Sequence, residues 1–391
     1  MRITWVTRSF LDYRVPIYEA INTLCGNQLS LIYNGDVVPP HLTDRIKQML
    51  GERCIPMSGE IRLVGKAKNP ISSTKGGGRR IPIQKGLYKK IKNTKPDVIL
   101  SDGFFQWTLM CIIYKMFHPK VKHVMCYEGW SHTERNAGWV NTLYRKFASH
   151  FIDAICCNGT LSKEYVKSLG YPEGKIFLGN MAADITFFKE ESLRVTEEER
   201  ISFRRQFNLK EIVYIFSGRL VQLKGIAELL VAWKAFTIGK EDRVSLLLVG
   251  DGPQRSNLEQ YCNENNLNNV VFAGRVDYNQ LPRYYASSSA FVIPTLQDNW
   301  SLVVPEAMAC GLPILCSIYN GCWPELVRSE NGWTFDPLND RNMMDALNLS
   351  YDNAHRFKEV GDNSRRLVEE YAPEKIASTI YHVCKQYLKQ K

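Results

Sequence analysis

No apolar run in this chain is long enough to cross a bilayer. The longest, Trp107 to Phe117, falls short of the roughly 20 residues a spanning helix needs and contains Lys115. It reads as a buried helix. The opening MRITWVTRSF is strand-like and lacks the long apolar core of a secretory leader. The eleven cysteines show no CxxC and no Cys/His ligand spacing, so no metal site is expected from them. An odd number of cysteines without a leader points to reduced thiols and a cytoplasmic protein. Cys156-Cys157 lie in the apolar stretch AICCNG and read as buried strand residues, not reactive thiols. There is no internal repeat and no low-complexity tract. No binding module or basic–aromatic pattern for nucleic acid appears, so nucleic acid is not an expected partner.

What is present is the composition of an ordinary globular α/β protein. The chain has 391 residues, 45% hydrophobic and 23% charged, enough for two domains with cores of their own. In the first half, buried strand candidates are Ile3–Thr7, Leu29–Tyr33, Asp97–Leu100, His123–Tyr127, Ala154–Cys157 and Ile176–Leu178. Helical spacing marks Pro16–Leu24, Lys85–Asn93, Phe105–Phe117, Val140–Ala148 and Leu161–Leu169. Alternation of this kind predicts a parallel, doubly wound sheet. The polar run Glu190 to Lys210 has no strand signal and is expected to be the linker. The expected division is 1–195, then 196–372, with 373–391 a helix that crosses back to the first domain.

The chemistry is concentrated in the second half. Glu211 to Ser217 (EIVYIFS) reads as a buried strand, and Leu223, Ile226, Leu229, Leu230, Trp233 and Phe236 recur at helical spacing after it. Between them lie Gly218, Arg219 and Lys224, in a turn at the carboxyl end of a parallel strand, where ligands of open α/β sheets collect. Arginine can grip two phosphate oxygens and lysine supplies a compact charge. Val244 to Val249 is a second buried run, and GDGP follows, with Gly250 and Gly252 allowing a tight turn and close approach of backbone to a ligand. Asn269 to Gly274 is a third strand, followed by the loop Arg275-Val276-Asp277. After the strand Ala290 to Thr295 come Asp298 and Glu306, two acids with seven residues between them, in DNWSLVVPEAMACGLP. Two cations, a glycine turn and two acids in this order suit a nucleotide diphosphate with a sugar attached. The bland alternative is surface cations in a solvated loop and acids that complement a helix dipole.

These residues resemble the family 4 (group 1) glycosyltransferases of the GT-B fold, strongly from Val213 to Pro337 and weakly before that. The resemblance implies two Rossmann-like domains facing a cleft. It implies a retaining transfer of sugar from a nucleoside-diphosphate sugar to a glycan or polyprenyl-linked acceptor in polysaccharide biosynthesis. It assigns Arg219 and Lys224 to the diphosphate, Glu306 to the ribose hydroxyls and Asp298 to the neighbourhood of the transferred sugar. Gly218, Gly250, Gly252 and Val276 would line the donor, with Val276 beneath the base. The family usually has Glu where Asp298 stands, and its Gly-Phe-Gly is replaced by Asn299-Trp300-Ser301. Ser301 and Leu302 can still offer backbone N–H groups to phosphate, and Trp300 would alter the sugar pocket. No cofactor and no catalytic metal are expected, since two cations and a helix N-terminus take that part. The same architecture hosts sugar-nucleotide epimerases and catalytically silent relatives, which remain as alternatives.

The acceptor side carries fewer marks. The run Arg8 to Glu19 resembles transferases acting on bacterial surface polysaccharides. Ser101-Asp102-Gly103 and Tyr127-Glu128-Gly129 both end strands, which makes Asp102, Glu128 and His132 candidates for acceptor or sugar contacts. Structural or surface roles are the alternative for each. Net charge is +10, and between Arg62 and Lys95 there are eleven Lys or Arg residues and no acid. Gly76-Gly77-Gly78 suggests a flexible loop there, and Leu87 and Ile91 would face inward on a helix bearing Lys89, Lys90 and Lys92. A basic patch of this kind would hold the protein on an anionic membrane surface, peripheral to the inner face, each cation adding about 1 kcal/mol. A solvated basic loop is the competing expectation.

Overall fold

The computed structural model describes residues 1–64, 80–104 and 107–389. The chain divides into two compact units, Met1–Ala182 with the segment from Pro373 onward, and Ala183–Ala372.

The strands of the first unit are β1 (Ile3–Val6), β2 (Leu29–Asn34), β3 (Cys54–Met57), β4 (Ile61–Val64), β5 (Arg80–Ile83), β6 (Val98–Asp102), β7 (Lys122–Tyr127), β8 (Ala154–Cys157) and β9 (Ile176–Leu178). Its helices are α1 (Val15–Leu24), α2 (Pro40–Leu50), α3 (Leu87–Thr94), α4 (Thr108–Phe117), α5 (Trp139–Ala148) and α6 (Thr160–Ser168). Seven strands form one parallel sheet in the order β3-β2-β1-β6-β7-β8-β9, and β4 pairs β5 as an antiparallel hairpin. Because side chains alternate along a strand, the sheet feeds two cores. Ile3, Trp5, Val98, Leu100, Val124, Cys126, Ala154 and Cys156 pack under α1, α2 and the C-terminal helix Pro373–Lys389. Ile99 faces the other way, toward Leu87 and Ile91 of α3 and Cys111 of α4. Met125, Ile155 and Cys157 do the same beneath Ile112 of α4, Ala148 of α5 and Val166 of α6.

The second unit holds β10 (Ile212–Ser217), β11 (Val244–Val249), β12 (Val270–Gly274), β13 (Ala290–Ile293), β14 (Ile314–Ser317) and β15 (Gly332–Phe335). Around them lie α7 (Ile185–Arg194), α8 (Glu197–Gln206), α9 (Ile226–Phe236), α10 (Arg255–Glu264), α11 (Leu281–Ala286), α12 (Val303–Ala309), α13 (Trp323–Leu326), α14 (Asp340–Asp352) and α15 (Phe357–Val368). The six strands are parallel in the order β12-β11-β10-β13-β14-β15. The chain winds one way from β10 and the other way from β13, so the order reverses between those two neighbours. That is the switch point at which open α/β sheets bind ligands.

The first unit closes at Ala182, ahead of the expected residue 195. The physical reason is α7, which packs against α11 and α12 of the second unit. The run Glu190–Lys210, expected as linker, is largely helical. Thr196 caps α8 by accepting from Glu199 N–H, while the Glu199 carboxylate accepts from Thr196 N–H. This reciprocal cap is written in the sequence as Thr-x-x-Glu. Helix α2 and strand β3 had no expected counterpart. Of the basic run, residues 65–79, including the three glycines, lie outside the described residues. Helix α3 buries Leu87 and Ile91 and exposes Lys89, Lys90 and Lys92. All eleven cysteines are unbridged, and ten of them are buried, Cys156 and Cys157 included.

Candidate active site

The loops that follow β10, β11 and β13 are stitched together at the carboxyl edge of the second sheet. Gly218 N–H donates to Val249 O, Leu220 N–H to Asp251 O and Gln254 N–H to Leu220 O, each at 3.0 Å. Gly250 N–H donates to Gly274 O at 2.8 Å, which ties in the end of β12 just before Val276. Only glycine fits two of these crossings. A Cβ at Gly250, where φ is +136°, would run into the Gly218 carbonyl oxygen. A Cβ at Gly225, where φ is +67°, would run into the Pro294 carbonyl oxygen. On the other side, Leu296 N–H and the Thr295 hydroxyl both donate to Leu223 O at 2.9 Å. Residues from four stretches of sequence thus become one hydrogen-bonded surface.

Arg219 stands exposed on this surface and forms no ion pair among the described residues. Lys224 is different. Its Nζ lies 2.5 Å from Asp298 Oδ2, and the two side chains are only 23% and 18% exposed. Asp298 also accepts from Trp300 N–H at 3.1 Å and from the Ser301 hydroxyl at 2.6 Å. The cation expected at the diphosphate and the acid expected at the sugar are therefore one charge-assisted pair. Bonds of that type contribute about 1.5–3 kcal/mol. Ser301 is buried, and its N–H donates to Asn320 Oδ1 at 3.3 Å. Trp300 is buried as well, its ring centroid 6.2 Å from that of Tyr371. Leu302 sits at the N-terminal cap of α12, half-buried. Val276 is half-buried between exposed Arg275 and Asp277.

Glu306 is a buried carboxyl on α12, 5% exposed. No Lys or Arg pairs with it among the described residues. The Tyr285 hydroxyl donates to Oε2 at 3.5 Å, a long bond that compensates little. Burial pushes its pKa up to about 8. Burial, and behind it the charge of Glu306, also holds the Tyr285 phenol well above its ordinary value, so it remains a donor. An acid in this state needs hydroxyl donors from elsewhere to become a comfortable carboxylate.

In the first unit, Asp102 at the end of β6 and Glu128 just past β7 both face Arg14, at 3.9 and 3.2 Å. Arg14 is buried. It donates to the Asn180 backbone and side-chain oxygens at 2.7 and 3.1 Å. Burial works against its charge, but Asp102 and Glu128 outweigh it and raise its pKa. Trp5 Nε1–H donates to Asp102 Oδ1 at 3.2 Å. Arg14, which sequence did not single out, is thus the centre of a charged cluster at the carboxyl edge of the first sheet. Its only signal was its place after β1 in the Arg8–Glu19 run. His132 lies on the turn beyond β7, its ring stacked on Trp130 at 5.3 Å.

Comparison with known proteins bears on what such sites do. Residues 197–372 match the family described as Glycosyl transferases group 1, and residues 42–178 match Glycosyltransferase Family 4. An uncharacterised glycosyltransferase of Methanocaldococcus jannaschii is 29% identical over 50% of this chain and 51% of its own. The chain spans about half the length of the curated relatives it matches in this way. The O-antigen chain mannosyltransferase C of Escherichia coli is 21% identical over 74% of this chain and 75% of its own. Among solved structures, Anabaena HepE in complex with UDP superposes with a TM-score of 0.75 at 16% identity, over 99% of this chain and 100% of that one. At that identity the likeness speaks for the fold, two parallel-sheet Rossmann-like units of the GT-B kind.

Proposed function

The chain belongs to the family 4, group 1 glycosyltransferases, and from that premise we propose that it transfers a sugar from a nucleoside-diphosphate sugar to a glycan or lipid-linked acceptor, with retention of configuration. One observation carries this. Lys224 pairs with Asp298, and Arg219 and Glu306 lie in the same two segments of chain, those that follow β10 and β13, the neighbours between which the strand order reverses. The curated and solved relatives, an O-antigen mannosyltransferase and a UDP complex among them, support a nucleotide-sugar donor.

In this mechanism Glu306 takes the ribose hydroxyls and exchanges its proton for them. Arg219 chelates diphosphate oxygens, and Lys224, held by Asp298, meets the same charge as it grows on the leaving group. Cations fixed before the reaction stabilise the transition state more than the ground state. Asp298 acts by orienting Lys224 and the Trp300–Ser301 backbone, and so sets the sugar end of the pocket indirectly. We assign the acceptor to the first unit, where Glu128, Asp102 and His132 would offer acceptors and donors to hydroxyls. No catalytic metal is invoked. A lipid-linked acceptor would place the protein on the cytoplasmic face of the inner membrane.

A panel of nucleotide sugars screened for thermal stabilisation identifies the donor, since ligand at 100 times its dissociation constant adds about 2.7 kcal/mol. Release of free nucleoside diphosphate is then followed with and without acceptor extracts. Release that requires acceptor supports transfer. Interconversion of the nucleotide sugar without release would mean an epimerase, and binding without either would mean a silent relative. Unchanged activity in excess chelator is the expected result for a metal-independent transferase.

A further inference from the structure

The two helical faces of the first unit differ in a way that transfer chemistry does not explain. On one face, α1, α2 and the C-terminal helix leave one large apolar side chain exposed, Leu24, and carry Glu19, Asp44 and Glu374 among Arg45, Lys47, Lys375, Lys385 and Lys389. On the other face lie α3, α4, α5 and α6, the last carrying Glu164 between Lys163 and Lys167. Helices α3, α4 and α5 contain Lys89, Lys90, Lys92, Lys115, Arg145 and Lys146 and no Asp or Glu. Lys115 and Arg145 are turned inward, paired with Asp153 and Glu134. Lys89, Lys90, Lys92 and Lys146 are exposed.

Among these cations stand seven exposed large apolar side chains. Helix α4 exposes Leu109, Met116 and Phe117, the last at 70%, although its run reads in sequence as wholly buried. Helix α5 exposes Trp139 at 78%, Val140, Leu143 and Phe147. Trp139, Leu143 and Phe147 are four residues apart, so they form one stripe along the helix. No helix of the described residues is long and apolar enough to span a membrane. A stripe of this kind, with a tryptophan, on helices whose own exposed charges are all lysines, is complementary to an anionic bilayer surface in both charge and polarity.

We propose that α3, α4 and α5 seat the protein on anionic lipid, with Trp139, Leu143 and Phe147 entering the interface and Lys89, Lys90, Lys92 and Lys146 meeting headgroups. This is a different surface from a basic loop alone, because the apolar stripe gives depth as well as attraction. It stands whether or not the chain transfers sugar, and its test uses no substrate.

The full chain is floated with phosphatidylcholine vesicles and with mixed phosphatidylcholine–phosphatidylglycerol vesicles at low and physiological salt. Retention on the mixed vesicles alone, weakening as salt rises, is expected. Replacing Trp139, Leu143 and Phe147 together by Ser lowers partitioning at least about tenfold through lost apolar burial. Replacing Lys89, Lys90 and Lys92 by Gln lowers it about 100-fold, at about fivefold per cation. Since all six side chains are exposed, both variants are expected to keep the wild-type circular dichroism and melting temperature. Brominated lipid quenches wild-type fluorescence more than that of Trp139→Phe. The proposal is overturned if wild type stays off both vesicle types, or if the Ser variant floats as well as wild type. It is also overturned if the stripe instead holds two copies together, seen as a dimer in solution that the Ser variant dissolves without vesicle binding.

Discussion

Glu306 carries a proton that the donor is expected to displace. Its carboxyl is buried, its one donor among the described residues is Tyr285 at a long distance, and its pKa is pushed up to about 8. An unperturbed glutamic acid titrates near 4.3. Ribose hydroxyls donate to the ionised form and so draw the value back toward the ordinary range. Between the two values, binding therefore releases a proton. At pH 7 about nine-tenths of empty sites are protonated, so saturation with the donor releases about 0.9 proton per site; at pH 9 the release falls to about 0.1. Apparent affinity weakens about tenfold per unit as pH drops below about 8. Calorimetric titration in buffers of different ionisation enthalpy measures the release directly. Glu306→Gln removes the titrating group and is expected to release none. No release from wild type at pH 7, or the same release from the variant, refutes the ribose assignment. The group also marks the empty protein's stability. A raised native pKa favours the native state below the unfolded pKa, near pH 4.5, and that share is lost as pH climbs through about 8. Glu306→Gln is expected to gain melting temperature relative to wild type over that window.

Asp298→Asn breaks the pair with Lys224, so it is expected to weaken nucleoside diphosphate binding as well as transfer; unchanged diphosphate affinity in calorimetry would leave the pair without a role in donor binding. Arg219→Ala alters an exposed residue, so stability is expected to move by less than about 0.5 kcal/mol while turnover falls at least about 100-fold, checked by thermal melting beside steady-state rates. Gly250→Ala forces a Cβ against the Gly218 carbonyl at a positive φ, costing about 1–3 kcal/mol in denaturant unfolding and loosening donor binding. Arg14→Met strands Asp102 and Glu128 without their cation and is expected to cost about 3–5 kcal/mol, with Asp102→Asn restoring part of it in the double variant.

Much of the fold could be read locally. The buried runs of β1, β8, β10 and β11 are apolar and β-branched, and the helices after them repeat at helical spacing, so each element declares itself within a dozen residues. The acids of the DNWSLVVPE segment and the glycines of GDGP were readable for the same reason, since turn geometry and helix starts are short-range properties. Helix α2 was missed because its apolar residues, Leu42, Ile46 and Leu50, are sparse among polar neighbours. The domain boundary was misplaced because α7 sits early in sequence yet packs on α11 and α12.

The sequence by itself determined which chemical groups are available and in what order. It set parallel α/β units, a glycine-lined turn, two cations and two acids. Tertiary structure alone decided how those groups are spent. Lys224 and Asp298 are 74 residues apart in the chain and become partners only when β10 and β13 lie side by side. Asp102 and Glu128 find Arg14 because β1, β6 and β7 end at one edge of the sheet. Glu306 acquires its high pKa from the layers that bury it, and Trp139 and Phe147 stay exposed because none of the described residues forms a layer above them. Charge pairing and desolvation depend on distance through space, and spacing along the chain does not encode that distance.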